Sequence, residues 1–106
     1  MTQPVVNVAR DFSKYPAGRY IEDGPANGQL FRDKFLIPAL KEARELTIEL
    51  DGTRGYGSSF LEEAFGGVVR AGFSPNTVKQ TFVLISEDKS LVDEIHDYID
   101  HGSDPE

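Results

Sequence analysis

Residues 46–69, LTIELDGTRGYGSSFLEEAFGGVV, predict a buried strand, a glycine-rich loop and an amphipathic helix. Apolar and polar residues alternate over 46–50, which is typical of a strand with one buried face. Over 59–71 the apolar residues fall on one broad arc of a helix. Residues 51–57 form the loop between these two elements. The stretch therefore predicts the first two parts of a β-α-β unit.

A second apolar run, TFVLI at residues 81–85, supplies the next strand. It is short, uncharged and rich in β-branched and aromatic residues, so we expect a strand that is covered on both faces. Before it, Gly72 is expected to end the helix and Pro75 to start a short turn. Strand 46–50, helix 59–71 and strand 81–85 are thus predicted to form a right-handed parallel crossover.

The remaining elements extend this unit in both directions. We predict a first strand at 5–12 and a second at 18–22, joined as a hairpin through 13–17, and a loop at 23–28. A helix is predicted over 28–43, where Pro38 should kink it or start a second segment. A last helix is predicted over 90–101, with a capping box formed by Ser90 and Asp93 and with Gly102 at its end. The fold class is a small α/β domain over residues 1–100, followed by a disordered tail at 101–106.

The length, charge and cysteine content of the chain argue against several classes of function. The chain has 106 residues, no cysteine and a formal net charge of −7. Its length suits one domain with its own core, and it can hold neither a disulfide nor a thiolate metal site. The acidic balance argues against binding nucleic acid or anionic membranes. No apolar run is long enough to span a membrane and the first residues lack a signal-peptide pattern, so we expect a cytoplasmic location.

The start of the predicted helix 59–71 carries two serines. Ser59 is expected to be the N-cap, with Glu62 completing a Ser-x-x-Glu capping box. Ser58 lies just before the cap, near the positive end of the helix dipole, where a phosphate would be favoured. Two interpretations of Ser58 stay open: a small polar residue at a helix entry, or a site of phosphorylation.

Two glycines interrupt the same helix on the arc opposite its apolar face. Gly66 and Gly67 share that arc with Glu62, Glu63 and Arg70, and the arc is predicted to be exposed. Each glycine costs about 0.5–1 kcal/mol relative to alanine in a helix. Another element of the fold could pack closely there, a partner protein could bind a patch poor in side chains, or the glycines could reflect drift.

The segment 46–69 resembles the central βα segment of STAS domains, the fold named for sulfate transporters and anti-sigma factor antagonists. It is still more similar to divergent STAS-like domains of unknown function, in which a strand ending in Asp, a short loop, "SSF" and a glycine-bearing helix are typical. The resemblance runs from about residue 5 to residue 99. It implies a small mixed sheet of about four to five strands, with helices layered on it.

The resemblance also implies a role for Ser58. In anti-sigma factor antagonists, an Asp-Ser-Ser/Thr-Gly motif starts this helix, and its first serine is phosphorylated by a partner kinase that is also the anti-sigma factor. Laid on this chain, the motif places Ser58 at the phosphorylated serine and Ser59 at the second hydroxyl. Gly57 and Phe60 depart from the Asp and the Gly of the motif.

By this resemblance, the chain is expected to be a non-catalytic regulatory domain that binds a protein and is switched by phosphorylation of Ser58. The expected partner is a kinase-like ATPase or another anti-sigma-type switch protein. No cofactor, metal ion, nucleic acid or membrane is predicted as a ligand, and the oligomeric state stays open. The predicted contact surface consists of Gly55, Tyr56, Gly57, Ser58, Ser59, Glu62, Glu63, Gly66, Gly67 and Arg70.

The residues argue against several other functions. Serine catalysis would need a base, and the two histidines, His96 and His101, belong to the predicted last helix. GYGSS is not a Gly-x-Ser-x-Gly elbow, and GTRGYGSS lacks the lysine of a phosphate-binding loop. The histidines are five residues apart, which does not suit a helical metal site. Two alternatives remain: a small-molecule or nucleotide sensor that uses the loop amides, and an acidic inhibitor or mimic that binds a basic protein.

Overall fold

The computed structural model describes residues 4–104 and shows a parallel sheet covered by helices. Strands β1 (Val5–Asn7), β2 (Leu46–Glu49) and β3 (Phe82–Ile85) lie in the order β1-β2-β3, and both pairs are parallel. The sheet of the described residues therefore has three strands, so the predicted four to five strands and the mixed pairing are not confirmed. The central strand is the one predicted at 46–50, and its alternating burial is confirmed.

Four helices accompany the sheet within residues 4–104. Helix α1, residues 28–41, comprises Gly28–Phe31, a π-helical turn Arg32–Leu36 and Ile37–Lys41. Helix α2, residues 58–70, comprises Ser58–Leu61, a π-helical turn Glu62–Gly66 and Gly67–Arg70. Helices α3 (Pro75–Thr81) and α4 (Lys89–Asp100) precede and follow β3. The pairing of β2 and β3 confirms that the predicted crossover is parallel, and its right-handedness stays a prediction.

Of the two outcomes predicted for Pro38, a kink or a second helical segment, the structure shows a second α-helical segment that begins at Ile37. The amide of Ile37 donates to the carbonyl of Arg32, five residues back, and Pro38 lies in the first turn of the segment that follows. Proline has no amide hydrogen to give to the carbonyl four residues earlier. A regular α-helix would therefore leave that carbonyl without a donor, and the wide π-helical turn before Pro38 accommodates the missing bond.

The prediction for the first part of the chain is wrong beyond Asn7. Residues Val8–Phe12 form a π-helical turn, at whose start the side chain of Asn7 accepts a hydrogen bond from the amide of Arg10. The predicted strand 18–22 and its hairpin are absent from the described residues, because this backbone bonds to the start of α1 instead. The carbonyls of Gly18 and Arg19 accept from the first amides of α1, at 2.9 and 3.0 Å. A short 3₁₀ turn, Ile21–Asp23, follows.

Smaller corrections apply to the second half of the chain. The strand β3 is not covered on both faces, since Ile85 at the edge of the sheet is 47% exposed. Pro75 starts a helix rather than a turn, whereas Gly72 ends α2 in a left-handed conformation as predicted. Helix α4 is capped by Asp88 and not by Ser90, because the side chain of Asp88 accepts from the amide of Leu91. The predicted tail 101–106 lies partly outside the described residues.

A cluster of phenylalanines lies in the core between the sheet and the helices. The ring of Phe31 lies 5.1, 5.2, 5.7 and 6.4 Å from the rings of Phe12, Phe35, Phe60 and Phe65. Burying one such side chain stabilises a fold by about 1.5–3 kcal/mol. Since Phe60 lies in the first turn of α2, this packing holds the two serines beside it in a defined place.

Candidate functional site at the start of helix α2

The loop 51–57 leaves the carboxyl end of β2 in a defined conformation. Gly52 and Gly55 have φ angles of 103° and 114°, which side-chain-bearing residues rarely adopt. The hydroxyl of Tyr56 donates to the carbonyl of Leu50 at 2.6 Å. Burial raises the pKa of Tyr56 to about 12, so this hydroxyl keeps its proton and remains a donor at neutral pH. The loop therefore enters α2 in one defined conformation.

Helix α2 begins at Ser58, one residue earlier than predicted. Gly57 is the N-cap, and no side chain caps the helix. The prediction of Ser59 as N-cap and of a Ser59–Glu62 capping box is therefore wrong, because extended backbone ends at Gly57 with φ −68° and ψ 138°. Ser58 and Ser59 are both exposed. The start of α2 thus presents two hydroxyls to solvent at a helix end, where the first amides have no acceptor within the helix.

A groove beside these serines was not foreseen from the sequence. It encloses about 360 Å³ between the segment 15–17 and the loop 54–57. Backbone bonds join its two walls, from the amide of Arg54 to Lys14 at 2.8 Å and from the amide of Gly57 to Pro16 at 3.2 Å. Tyr15 is 67% exposed at its rim. We call this the tyrosine groove, lined by Tyr15, Pro16, Ala17, Arg54, Tyr56 and Gly57.

One turn into α2, two carboxylates are held by three arginines. Arg19 bonds to both Glu62 and Glu63, and Arg32 bonds to Glu63. Arg70 bonds to Glu62 at 2.7 Å and to Glu63 at 3.3 Å. The side chain of Glu63 is only 7% exposed, so its charge depends on these partners. We call these five residues the arginine–glutamate cluster.

Contacts within the arginine–glutamate cluster shift the pKa values of its members. Burial pushes the pKa of Glu62 upward, but the bonds from Arg70 and Arg19 outweigh it, and the pKa is lowered overall. The bond to Glu62 likewise raises the pKa of Arg19 and of Arg70. The cluster thereby joins the segment before α1, helix α1 and helix α2 through ion pairs.

The glycines of α2 lie inside the fold, which corrects their predicted exposure. A Cβ atom on Gly66 would lie 2.5 Å from a carboxylate oxygen of Glu62 and 3.2 Å from the carbonyl of Tyr98. A Cβ atom on Gly67 would lie 3.0 Å from Arg32 Nη1. The interpretation that another element of the fold packs closely at these glycines is therefore confirmed.

The predicted contact surface divides along the helix. Gly55, Ser58, Ser59 and Arg70 are exposed, and three further members are half-buried: Tyr56, Gly57 and Glu62. The predicted exposure of the remaining three members is wrong, because Glu63, Gly66 and Gly67 are buried against neighbouring helices. The surface that the structure leaves open is the loop and the first turn of α2, together with the tyrosine groove.

A second groove of about 350 Å³ lies at the carboxyl ends of β2 and β3. Three acidic residues line it: Asp51, Asp88 and Glu94. Asp51 accepts hydrogen bonds from the hydroxyl of Ser86 at 2.7 Å and from the amide of Glu87 at 3.0 Å. Over residues 4–104, no three His, Asp or Glu side chains are arranged to hold a metal ion.

The two histidines, predicted to belong to the last helix, lie on α4 and just after it. His96 is half-buried and His101 is exposed. His101 Nδ1 lies 2.7 Å from a carboxylate oxygen of Asp104, and this contact raises the pKa of His101. None of the helices in the described part of the chain is long and apolar enough to cross a membrane.

The fold and site define a small α/β domain whose central helix begins, with exposed hydroxyls, at the carboxyl edge of a parallel sheet. Residues 27–92 match the family model described as STAS-like domain of unknown function (DUF4325). The chain belongs to this STAS-like family, as the segment 46–69 indicated. No curated protein and no solved structure matches the chain.

Proposed function

We propose that this domain is a non-catalytic regulatory module that binds another protein through the start of α2. The observation that carries the proposal is the pair of exposed serines at a helix start with no side-chain cap. Exposed Tyr15 and Arg54 adjoin them across the tyrosine groove, and tyrosine and arginine are among the residues enriched at interface positions that carry most of the binding energy. Backbone bonds on both walls hold this surface in place before a partner arrives, which lowers the entropic cost of binding.

Phosphorylation of Ser58 is the proposed switch. A phosphate would add nearly two negative charges at the positive end of the helix dipole, in the middle of the contact surface. By analogy with anti-sigma factor antagonists, the partner is a kinase-like ATPase or a related switch protein. Because Gly57 offers no side chain where that family has Asp, the partner would have to recognise neighbouring exposed groups such as Tyr15 and Arg54.

Affinity purification from host lysate tests this role. The baits are the wild-type domain, Ser58→Ala and Ser58→Asp, with Ser90→Ala as the control for an exposed serine on another helix. We expect wild type, Ser58→Ala and Ser90→Ala to retain the same partner, Ser58→Asp to retain about tenfold less, and phosphosite mapping of the wild type to identify Ser58. Equal recovery with all four baits would refute the switch.

Ligand sensing is the second candidate, and the acidic groove at the carboxyl ends of β2 and β3 favours it. Ligands of open α/β sheets commonly bind at this edge. The carboxylates of Asp51, Asp88 and Glu94 would repel nucleotide phosphates and attract a cationic small molecule. A thermal-shift comparison of ATP with spermidine separates the ligands, since binding worth 1 kcal/mol raises Tm by about 4–8 °C. No shift with either ligand would favour the protein-binding role.

A further inference from the structure

We propose that a cavity between α1 and α2 binds a small organic carboxylate. The cavity encloses about 530 Å³, a volume that suits a small-molecule site. It shares no lining residue with the tyrosine groove or with the acidic groove, and the proposal does not depend on the function assigned to the start of α2. Its lining comes from both helices and the segment after α2, and includes Arg32, Ile37, Lys41, Gly67, Arg70 and Phe73.

Hydrogen-bond donors are left over in this cavity. A guanidinium has five N–H groups, and Arg32 gives three of them to Asp33 and Glu63. One N–H group on Nη1 and one on Nη2 therefore have no acceptor among residues 4–104. Lys41 is exposed, and within the same residues its ammonium forms no ion pair. Both cations thus have donors available for a ligand.

The carboxylates that line the cavity are already paired. Asp33 lies 2.9 Å from Nε of Arg32. Glu63 accepts from Arg32 on one oxygen and from Arg19 and Arg70 on the other. Three cations and two carboxylates give the lining a net charge of +1, in a chain whose net charge is −7. The local charge therefore favours an anionic ligand over a cationic one.

Gly67 gives Arg32 its place in the cavity. A Cβ atom on Gly67 would lie 3.0 Å from Nη1 and 3.1 Å from Cδ of Arg32. The side chain of Arg32 therefore lies directly against the backbone of α2, and its bonds to Asp33 and Glu63 hold the guanidinium there. A guanidinium held in advance can bind a carboxylate through two N–H groups with little loss of entropy.

Apolar side chains complete the cavity and specify the rest of the ligand. Ile37 and Phe73 are half-buried and pack against the core, and both also line the cavity. Ile37 lies between Arg32 and Lys41 along α1. The apolar stem of Lys41 can cover a ligand while its ammonium stays in water. The expected ligand therefore has a carboxylate at Arg32 and an apolar body against Ile37 and Phe73.

The test uses three probes that share an aromatic ring and differ in charge. At neutral pH phenylacetate is an anion, phenylacetamide is uncharged and phenethylamine is a cation. Each is titrated into the complete chain, and the amide chemical shifts of residues 67–73 are followed by NMR. We expect phenylacetate to bind with a Kd of about 1 mM, as is ordinary for so few atoms, and phenylacetamide about tenfold more weakly. Phenethylamine should not shift these amides.

Substitutions of exposed lysines locate the anion. Lys41→Gln removes an unpaired charge and should weaken phenylacetate binding about threefold, and Lys41→Glu about tenfold. Lys34→Gln changes an exposed lysine on the same helix outside the cavity, and this matched control should leave the Kd unchanged. Arg32→Lys keeps a charge beside Glu63 but loses the two-pronged contact, so it should weaken binding about tenfold. If that variant does not fold, the two Lys41 variants carry the test.

Three results would each overturn the proposal. Equal binding of all three probes would show that only the apolar wall acts. Binding of inorganic phosphate at residues 67–73 as tight as that of phenylacetate would show that the apolar wall contributes nothing. Equal weakening in Lys34→Gln and Lys41→Gln, or shifts confined to other residues, would place the anion outside this cavity.

Discussion

The start and the middle of helix α2 lie one turn apart and have opposite environments. At the start, Ser58 and Ser59 are exposed and backbone bonds to the segment 14–16 hold the approach to the helix. In the middle, Glu63 is buried and three arginines compensate its charge. The comparison teaches that the polar arc of one helix can serve two purposes. Its first turn is available to a partner, whereas its second turn holds the fold together.

The largest effect is expected from removing the buried charge. Glu63→Gln leaves Arg32 facing a neutral amide, and we expect the free energy of unfolding to fall by about 3 kcal/mol, the lower end of the cost of breaking a buried pair. Urea denaturation monitored by circular dichroism measures the change. Glu87→Gln, an exposed carboxylate after β3, is the control and should stay within about 0.5 kcal/mol of wild type. Similar losses in both variants would show that the middle of α2 is no more sensitive than the surface.

Adding a methyl group at a glycine compares how tightly the middle and the start of α2 are packed. A Cβ atom on Gly28 would lie 2.5 Å from the carbonyl of Phe60 and 3.0 Å from the Cβ of Glu63, so Gly28→Ala should lower the free energy of unfolding by about 1–3 kcal/mol. At the helix start, a Cβ atom on Gly57 meets Ala17 at an ordinary 3.5 Å. Gly57→Ala should therefore cost less than about 1 kcal/mol, mainly as a poorer N-cap. A larger loss for Gly57→Ala would reverse the comparison.

Acid should weaken the middle of the helix through Glu62. Its pKa is lower in the folded protein than the ordinary 4.5, so its bonds stabilise the fold above that pH. This stability is lost as pH falls through the folded pKa. Glu62→Gln should cost about 1.5 kcal/mol at pH 7 and clearly less at pH 3, as measured by urea denaturation at both pH values. The bond from Arg10 lowers the pKa of Asp11 to about 2, and this carboxylate titrates equally in both proteins.

The smallest effect concerns the missing cap. Gly57→Asp would place a carboxylate where it can accept from the first amides of α2 and interact with the helix dipole. We expect a gain of a few tenths of a kcal/mol in the free energy of unfolding, with Gly57→Ala as the uncharged reference. A loss of stability would mean that the contact with Ala17 excludes a side chain at this position.

Regular patterns made the central part of the fold predictable. The alternation over 46–50 located β2, and the apolar arc of α2 identified the face that packs on the core. The cap was misplaced because Gly57, Ser58 and Ser59 are adjacent and any of them can end an extended segment before a helix. Caps differ by only about 1 kcal/mol, so the identity of these residues alone does not fix which of them starts the helix.

The remaining errors arose from contacts between residues far apart in sequence. Gly66 is buried because Tyr98 and Gly102 pack on it. The residues near Gly66 in the sequence do not predict these contacts. Similarly, the pattern at 18–22 suits a strand, but the carbonyls of Gly18 and Arg19 cap α1 instead. The arginine–glutamate cluster could not be found from the sequence, since Arg19, Arg32 and Arg70 follow no shared spacing.

The central position of β2 bears on how the chain folds during synthesis. Parallel strands cannot pair through a short turn, so β2 must close a long loop to reach β1 and another to reach β3. As the ribosome releases the chain from its N-terminus, β1 and β2 become available before β3 exists. A two-stranded intermediate would leave one edge of β2 unpaired and open to association with other chains. We therefore expect cooperative folding only after β3 has emerged and paired with that edge of β2.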